Sequence, residues 1–146
     1  MNTSIEEFVS GKRIAVAGAS RSGKKFGNIA AKELKTRGYE VYLIHPEAKE
    51  IDGLPCYPDL AALPARVDGL FVSLPANRSG QVIRQAAEIG VRNVWLQQGA
   101  ENAELLTLGQ ELGLNLVSGK CILMYAPPVR SFHRWHRAVV RLTGGL

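Results

Sequence analysis

The 146-residue sequence predicts an α/β domain, an open, doubly wound parallel sheet of about five strands. Three observations carry that expectation. Short continuous apolar runs alternate with segments whose apolar residues recur at helical spacing. A strand that is apolar along its whole length is buried on both faces, as in a parallel sheet covered by helices. The first such run is followed by a glycine-containing turn and a helix start, which is how these sheets build anion sites at strand ends.

The elements follow in order. Ser4 and Glu7 stand at capping-box spacing, so a short helix is expected over 5–10. Ile14-Ala15-Val16-Ala17 is the first strand. A helix over 28–37 places Ile29, Ala30 and Leu34 on one side, with Gly38 as its C-terminal cap. The second strand covers 41–44, and a proline-studded loop containing Lys49 follows over 45–64. The third strand, over 69–74, ends at Pro75. A helix over 77–89 turns Val82, Ile83, Ala86 and Ile89 inward and closes at Gly90. Val94-Trp95-Leu96 is the fourth strand, followed by Gln97-Gln98-Gly99. A helix over 101–112, stopped by Gly113, and a fifth strand over 114–117 complete the pattern.

Composition sets limits on function. At 46% hydrophobic, the chain is ordinary for one domain with a full core. No apolar stretch approaches membrane-spanning length, and the N-terminus lacks a basic–apolar leader pattern. Cys56 and Cys121 form no CxxC pair, which predicts reduced thiols and a cytoplasmic setting. Residues 1–119 hold 13 Lys+Arg and 13 Asp+Glu, so the net charge of +5 resides entirely in the last 27 residues. A neutral body argues against a nucleic-acid-coating surface.

The turn after the first strand carries the main functional signal. Gly18, Ala19, Ser20, Arg21 and Ser22 lead to Gly23, Lys24, Lys25 and Gly27. Turn amides and the positive end of a helix dipole converge there, and three cations surround them. The pattern GxxxxGK[ST] is met from Gly18 to Lys24 and fails at Lys25, where a hydroxyl would hold magnesium. The dinucleotide pattern GxGxxG fails at Ser20, and the second strand ends in His45-Pro46 with no acid for ribose hydroxyls. The other strand ends add Lys49, Pro75 to Arg78, and Gln97 to Gly99. No carboxylate pair, Ser–His–Asp set or metal cluster is evident among them. The expectation is a mouth that binds an anionic, nucleotide-sized molecule and carries no catalytic set of its own.

Several of these segments, GAS near the first strand, GYEVYLIHP, GLPCYPDLAALP and NVWLQQGAEN, resemble the single-domain CoA-binding protein family. The same arrangement resembles the Rossmann-like CoA-binding domain of the succinyl-CoA synthetase alpha subunit, over about residues 13–121. The resemblance implies a CoA-binding domain over 1–127 and coenzyme A, or an acyl-CoA, as ligand. It implies that Gly18, Ala19, Ser20, Arg21 and Ser22 cradle the pyrophosphate, with Ser20 and Arg21 closest, beside the cations Lys24 and Lys25 already read from the turn. It places His45 and Pro46 on the adenosine side, His45 standing where asparagine is expected, and Lys49 at a CoA phosphate. Pro75, Leu96, Gln97 and Gln98 would flank the nucleotide or pantetheine arm. The synthetase's second domain is not expected within these residues, so its reaction is not carried over from the resemblance. An NADP-type subunit of an oxidoreductase or transferase, with catalytic residues from a partner, is the alternative.

Residues 128–146 form an expected second unit. Phe132, Trp135, Val139 and Leu142 share one side of a helical wheel, and Arg130, Arg134, Arg137 and Arg141 lie opposite. Such a helix docks its apolar side on its own domain or on a second copy, and a homodimer is the expectation. An acidic partner or an anionic lipid surface is the next reading. His133 and His136 lack the further ligands a metal site needs.

Overall fold

The structure, a computed structural model, describes residues 3–127. Six strands run parallel: β1 (Arg13–Ala17), β2 (Glu40–Ile44), β4 (Leu54–Tyr57), β5 (Gly69–Val72), β6 (Asn93–Gln97) and β7 (Asn115–Lys120). A short β3 (Glu50–Ile51) joins one edge antiparallel, giving the order β3-β4-β2-β1-β5-β6-β7. The expected Rossmann-like sheet is present, with seven strands instead of five.

The two added strands lie inside the segment expected to be a proline-rich loop. Asp52 and Gly53 both take positive φ, 53° and 79°, which matches the backbone of a tight hairpin turn. Ile51 and Leu54, on either side, are buried. Pro55 is accommodated because β4 still accepts pairing from β2 through Leu43–Cys56 and Ile44–Tyr57. The Asp-Gly pair was the available signal, and the flanking prolines obscured it.

Side chains alternate across the sheet and so define two cores. Phe71 and Trp95 point to the face covered by α1 (Thr3–Val9) and α2 (Phe26–Thr36), with Phe8, Ala30 and Leu34. Leu70, Val72, Val94 and Leu96 point to the face covered by α3 (Ala76–Glu88) and α4 (Ala103–Glu111). Phe8 meets Trp95 edge to face at 5.4 Å, a favourable aromatic geometry. Ser4 falls within α1 and not at its cap. Ile29 and Ile89, expected inward, are exposed, because the buried stripes run through Ala30, Ala31 and Leu34 and through Ser79, Val82, Ile83 and Ala86.

After β7 the chain closes on the α2 face. The Arg37 guanidinium donates to the carbonyls of Leu123 and Ala126, and Ile122 and Ala126 are buried. The amphipathic helix expected over 128–146 lies outside the described residues. Among the described residues, no helix is long and apolar enough to cross a membrane.

Candidate functional site

The winding of the sheet reverses at β1, which has β2 on one side and β5 on the other. A crevice therefore opens at the carboxyl ends of these strands, where α/β sheets take their ligands. Two glycines shape it. A Cβ on Gly18 would lie 2.4 Å from the Ser73 carbonyl oxygen, and its φ of +137° disfavours any side chain. A Cβ on Gly27 would lie 2.4 Å from the Gly18 carbonyl carbon. Glycine at both positions lets the first turn of α2 press directly on the end of β1.

Asn28 then locks the turn. Its Oδ1 accepts the amides of Ser20 at 2.9 Å and Lys25 at 3.2 Å. Its Nδ2 donates to the Ser20 carbonyl at 3.0 Å and to Asp52 Oδ2 at 2.9 Å. All four hydrogen-bonding positions of the amide are used, and the side chain is 2% exposed. The turn is thereby tied both to α2 and to the β3–β4 hairpin, where Lys32 also pairs with Asp52 at 3.8 Å. Gly23 N–H donates to Ser20 O, and the Ser20 and Ser22 hydroxyls share a 2.7 Å hydrogen bond. The amides of Arg21, Ser22, Phe26 and Gly27 donate no hydrogen bond among the described residues. Because the Ser20 and Lys25 amides serve the clamp, these four, with the Ala19 amide, are among the donors left for an anion.

The cavity at this point measures about 190 Å³. It is bounded by residues 18–20 and Lys25 on one side, residues 44–46 on a second, and residues 73–75 with Arg78 on a third. That is below the roughly 300–1,000 Å³ of pockets that enclose whole small ligands. It has room for the phosphate end of a nucleotide, with the remainder lying across the open strand ends. A larger cavity, about 640 Å³, lies between α3 and α4 among Gly80, Arg84, Glu104 and Leu108; it shares no lining residue with the crevice cavity and meets the strand ends only at Ala76 and Asn77.

His45 is tied down as well. Its Nδ1 accepts the amides of Glu47 at 3.1 Å and Ala48 at 3.0 Å. Burial, and next the Arg21 guanidinium, push its imidazole below the ordinary value; Glu47 opposes them and Arg78 adds to them. Arg21 reaches Glu47 at 3.6 Å, an exposed pair bridging the first and second loops.

The structure thus gathers Gly18, Ala19, Ser20, Lys25, His45, Pro46 and Pro75 around one cavity. Arg21, Ser22 and Lys24 are exposed on the adjoining turn. Lys49 is exposed just before β3 and outside the cavity wall. Leu96 is fully buried in the core beneath α3 and α4, so its side chain is not presented at the crevice. Gln97 is buried and its Oε1 accepts the Ile122 amide. Gln98 is exposed, its amide donating to Lys120 O. Sequence reasoning missed Asn28, Asp52 and Ser73; Asn28 was read only as a helix start.

A doubly wound sheet with a glycine turn, a helix N-terminus and cations at its switch point defines a Rossmann-like type of α/β domain. Residues 12–127 match the CoA binding domain family, and the chain belongs to that family. It is 29% identical over 130 residues to the ADP-forming acetate–CoA ligase I of Archaeoglobus fulgidus, covering 82% of this chain and 19% of the ligase. It is 26% identical over 129 residues to the alpha subunit of the ADP-forming acetate–CoA ligase II of Pyrococcus furiosus, covering 81% of this chain and 28% of that subunit. The chain therefore spans less than a third of these curated relatives. A solved hypothetical protein from Pyrococcus horikoshii superposes with a TM-score of 0.77 at 30% identity, covering 83% of this chain and 86% of that one.

Proposed function

We propose that this chain binds coenzyme A, or an acyl-CoA, at the crevice between β1, β2 and β5, without catalysing a reaction of its own. The observation that carries the reading is the clamped turn. Asn28 holds it rigid while the Arg21, Ser22, Phe26 and Gly27 amides keep their hydrogens for a pyrophosphate. Preorganised amides at a helix N-terminus bind an anion without the cost of ordering a loop. Arg21, Lys24, Lys25 and Lys49 supply exposed positive charge around the turn for the 3′-phosphate. Family membership supports the same ligand. Residues 128–146 are proposed to join two copies.

Calorimetric titration with CoA, dephospho-CoA and NADP tests the assignment. A charge-assisted contact to the 3′-phosphate contributes about 1.5–3 kcal/mol, so CoA should bind at least about tenfold more tightly than dephospho-CoA. Equal affinities remove the 3′-phosphate contact. Tighter binding of NADP than of CoA favours the nucleotide-subunit reading instead.

A further inference from the structure

We propose that His45 is the positioning residue of the second loop, a latch that holds residues 45–48 in binding geometry only while its Nδ1 is unprotonated. The proposal rests on the crevice being the ligand site. Nδ1 accepts two backbone amides, those of Glu47 and Ala48. Asparagine or aspartate oxygens commonly fold a turn in this way. Here an imidazole nitrogen does the same work, and that exchange makes the turn sensitive to protons. The neutral ring carries its proton on Nε2, which has no acceptor among the described residues. Protonation at Nδ1 turns the acceptor into a donor facing two other donors. Both hydrogen bonds are then lost, the ring must rotate, and the loop that places Pro46 in the cavity wall is released.

The surrounding charges set where this happens. Arg21 faces the ring from the first loop, Glu47 from its own loop and Arg78 from α3, while Lys25 lines the same cavity. Two guanidinium groups and partial burial outweigh the one carboxylate, so the latch is closed at neutral pH and opens below the ordinary imidazole value of 6.5. A simple attraction between an imidazolium and a phosphate would act in the opposite direction, with affinity rising in acid. The sign of the pH dependence separates the two.

The experiment measures CoA affinity of the wild type, His45→Asn and His45→Ala from about pH 8 to about pH 5. Asparagine keeps the acceptor and does not titrate. At the alkaline end His45→Asn should bind within about threefold of wild type and His45→Ala about tenfold more weakly. In acid the wild type should lose about tenfold relative to His45→Asn, a ratio in which the ligand's own phosphate titration cancels. A constant ratio, or a ratio that moves in favour of the wild type in acid, overturns the latch. A second arm needs no ligand. In nuclear magnetic resonance spectra the Glu47 and Ala48 amides should titrate with the His45 ring, and cease to do so in His45→Asn. Amides that ignore the ring overturn the proposal. Absence of CoA binding at every pH would instead refute the coenzyme reading, and the amide titration would still decide the latch.

Discussion

Replacing Asn28 by alanine should loosen the turn and lower both stability and ligand affinity. The substitution leaves the Ser20 and Lys25 amides, the Ser20 carbonyl and the Asp52 carboxylate without their partner. An unsatisfied buried group costs about 1–3 kcal/mol, but Lys25 is exposed and Ser20 half-buried, so water recovers part of this. A net loss of about 2–4 kcal/mol is expected. At roughly 4 °C per kcal/mol for a domain of this size, Tm falls by about 8–16 °C. Asn28→Asp is the sharper companion. It keeps both acceptor bonds but sets a second oxygen against Asp52 Oδ2 and the Ser20 carbonyl, and adds a negative charge beside the proposed pyrophosphate turn. It should fold, melt below wild type and bind CoA more weakly than Asn28→Ala does. Differential scanning calorimetry and CoA titration read the two effects. An Asn28→Ala protein that melts within about 2 °C of wild type and binds CoA equally well would refute the clamp.

Arg21→Ala and Lys49→Ala should each weaken CoA binding with little change in Tm; the Arg21–Glu47 pair is exposed and contributes only about 0–1 kcal/mol. Unfolding with normal affinity in the folded fraction would make either residue structural. Burial raises the Tyr39 phenol to about 12 while its hydroxyl donates to the Val9 carbonyl. The folded state therefore holds this proton longer than the unfolded chain. Stability should be full below pH 10 and fall, by up to about 3 kcal/mol, as pH rises from 10 to about 12. Tyr39→Phe should flatten that alkaline loss in denaturant titrations, and an unchanged slope would show that another group is responsible. Deleting residues 128–146 should convert a dimeric protein into a folded, CoA-binding monomer by light scattering, whereas an unchanged number of copies rules out a dimer through that segment.

The order of elements was legible because it rests on local physics. Continuous apolar runs such as Ile14 to Ala17 and Val94 to Leu96 state their own burial, and Gly38, Gly90 and Gly113 mark helix ends where a positive φ is needed. The turn after the first strand was equally legible as a strand-to-helix turn, since its glycines and a helix start lie within one short stretch. The hairpin was signalled by Asp52-Gly53 and overlooked among its prolines. Asn28 is different. Nothing near it in sequence shows that Asp52, 24 positions later, completes its hydrogen bonds. Nor did the sequence show which face of the sheet Leu96 takes or that Gln97 turns to Ile122, because the face a strand residue takes depends on the register of its neighbours. Periodicity and turn chemistry are properties of adjacent residues, and the sequence determined them by itself. The partners of Asn28, Gln97 and Arg37 are brought together only when sheet pairing places distant segments side by side, and that step belongs to the tertiary structure.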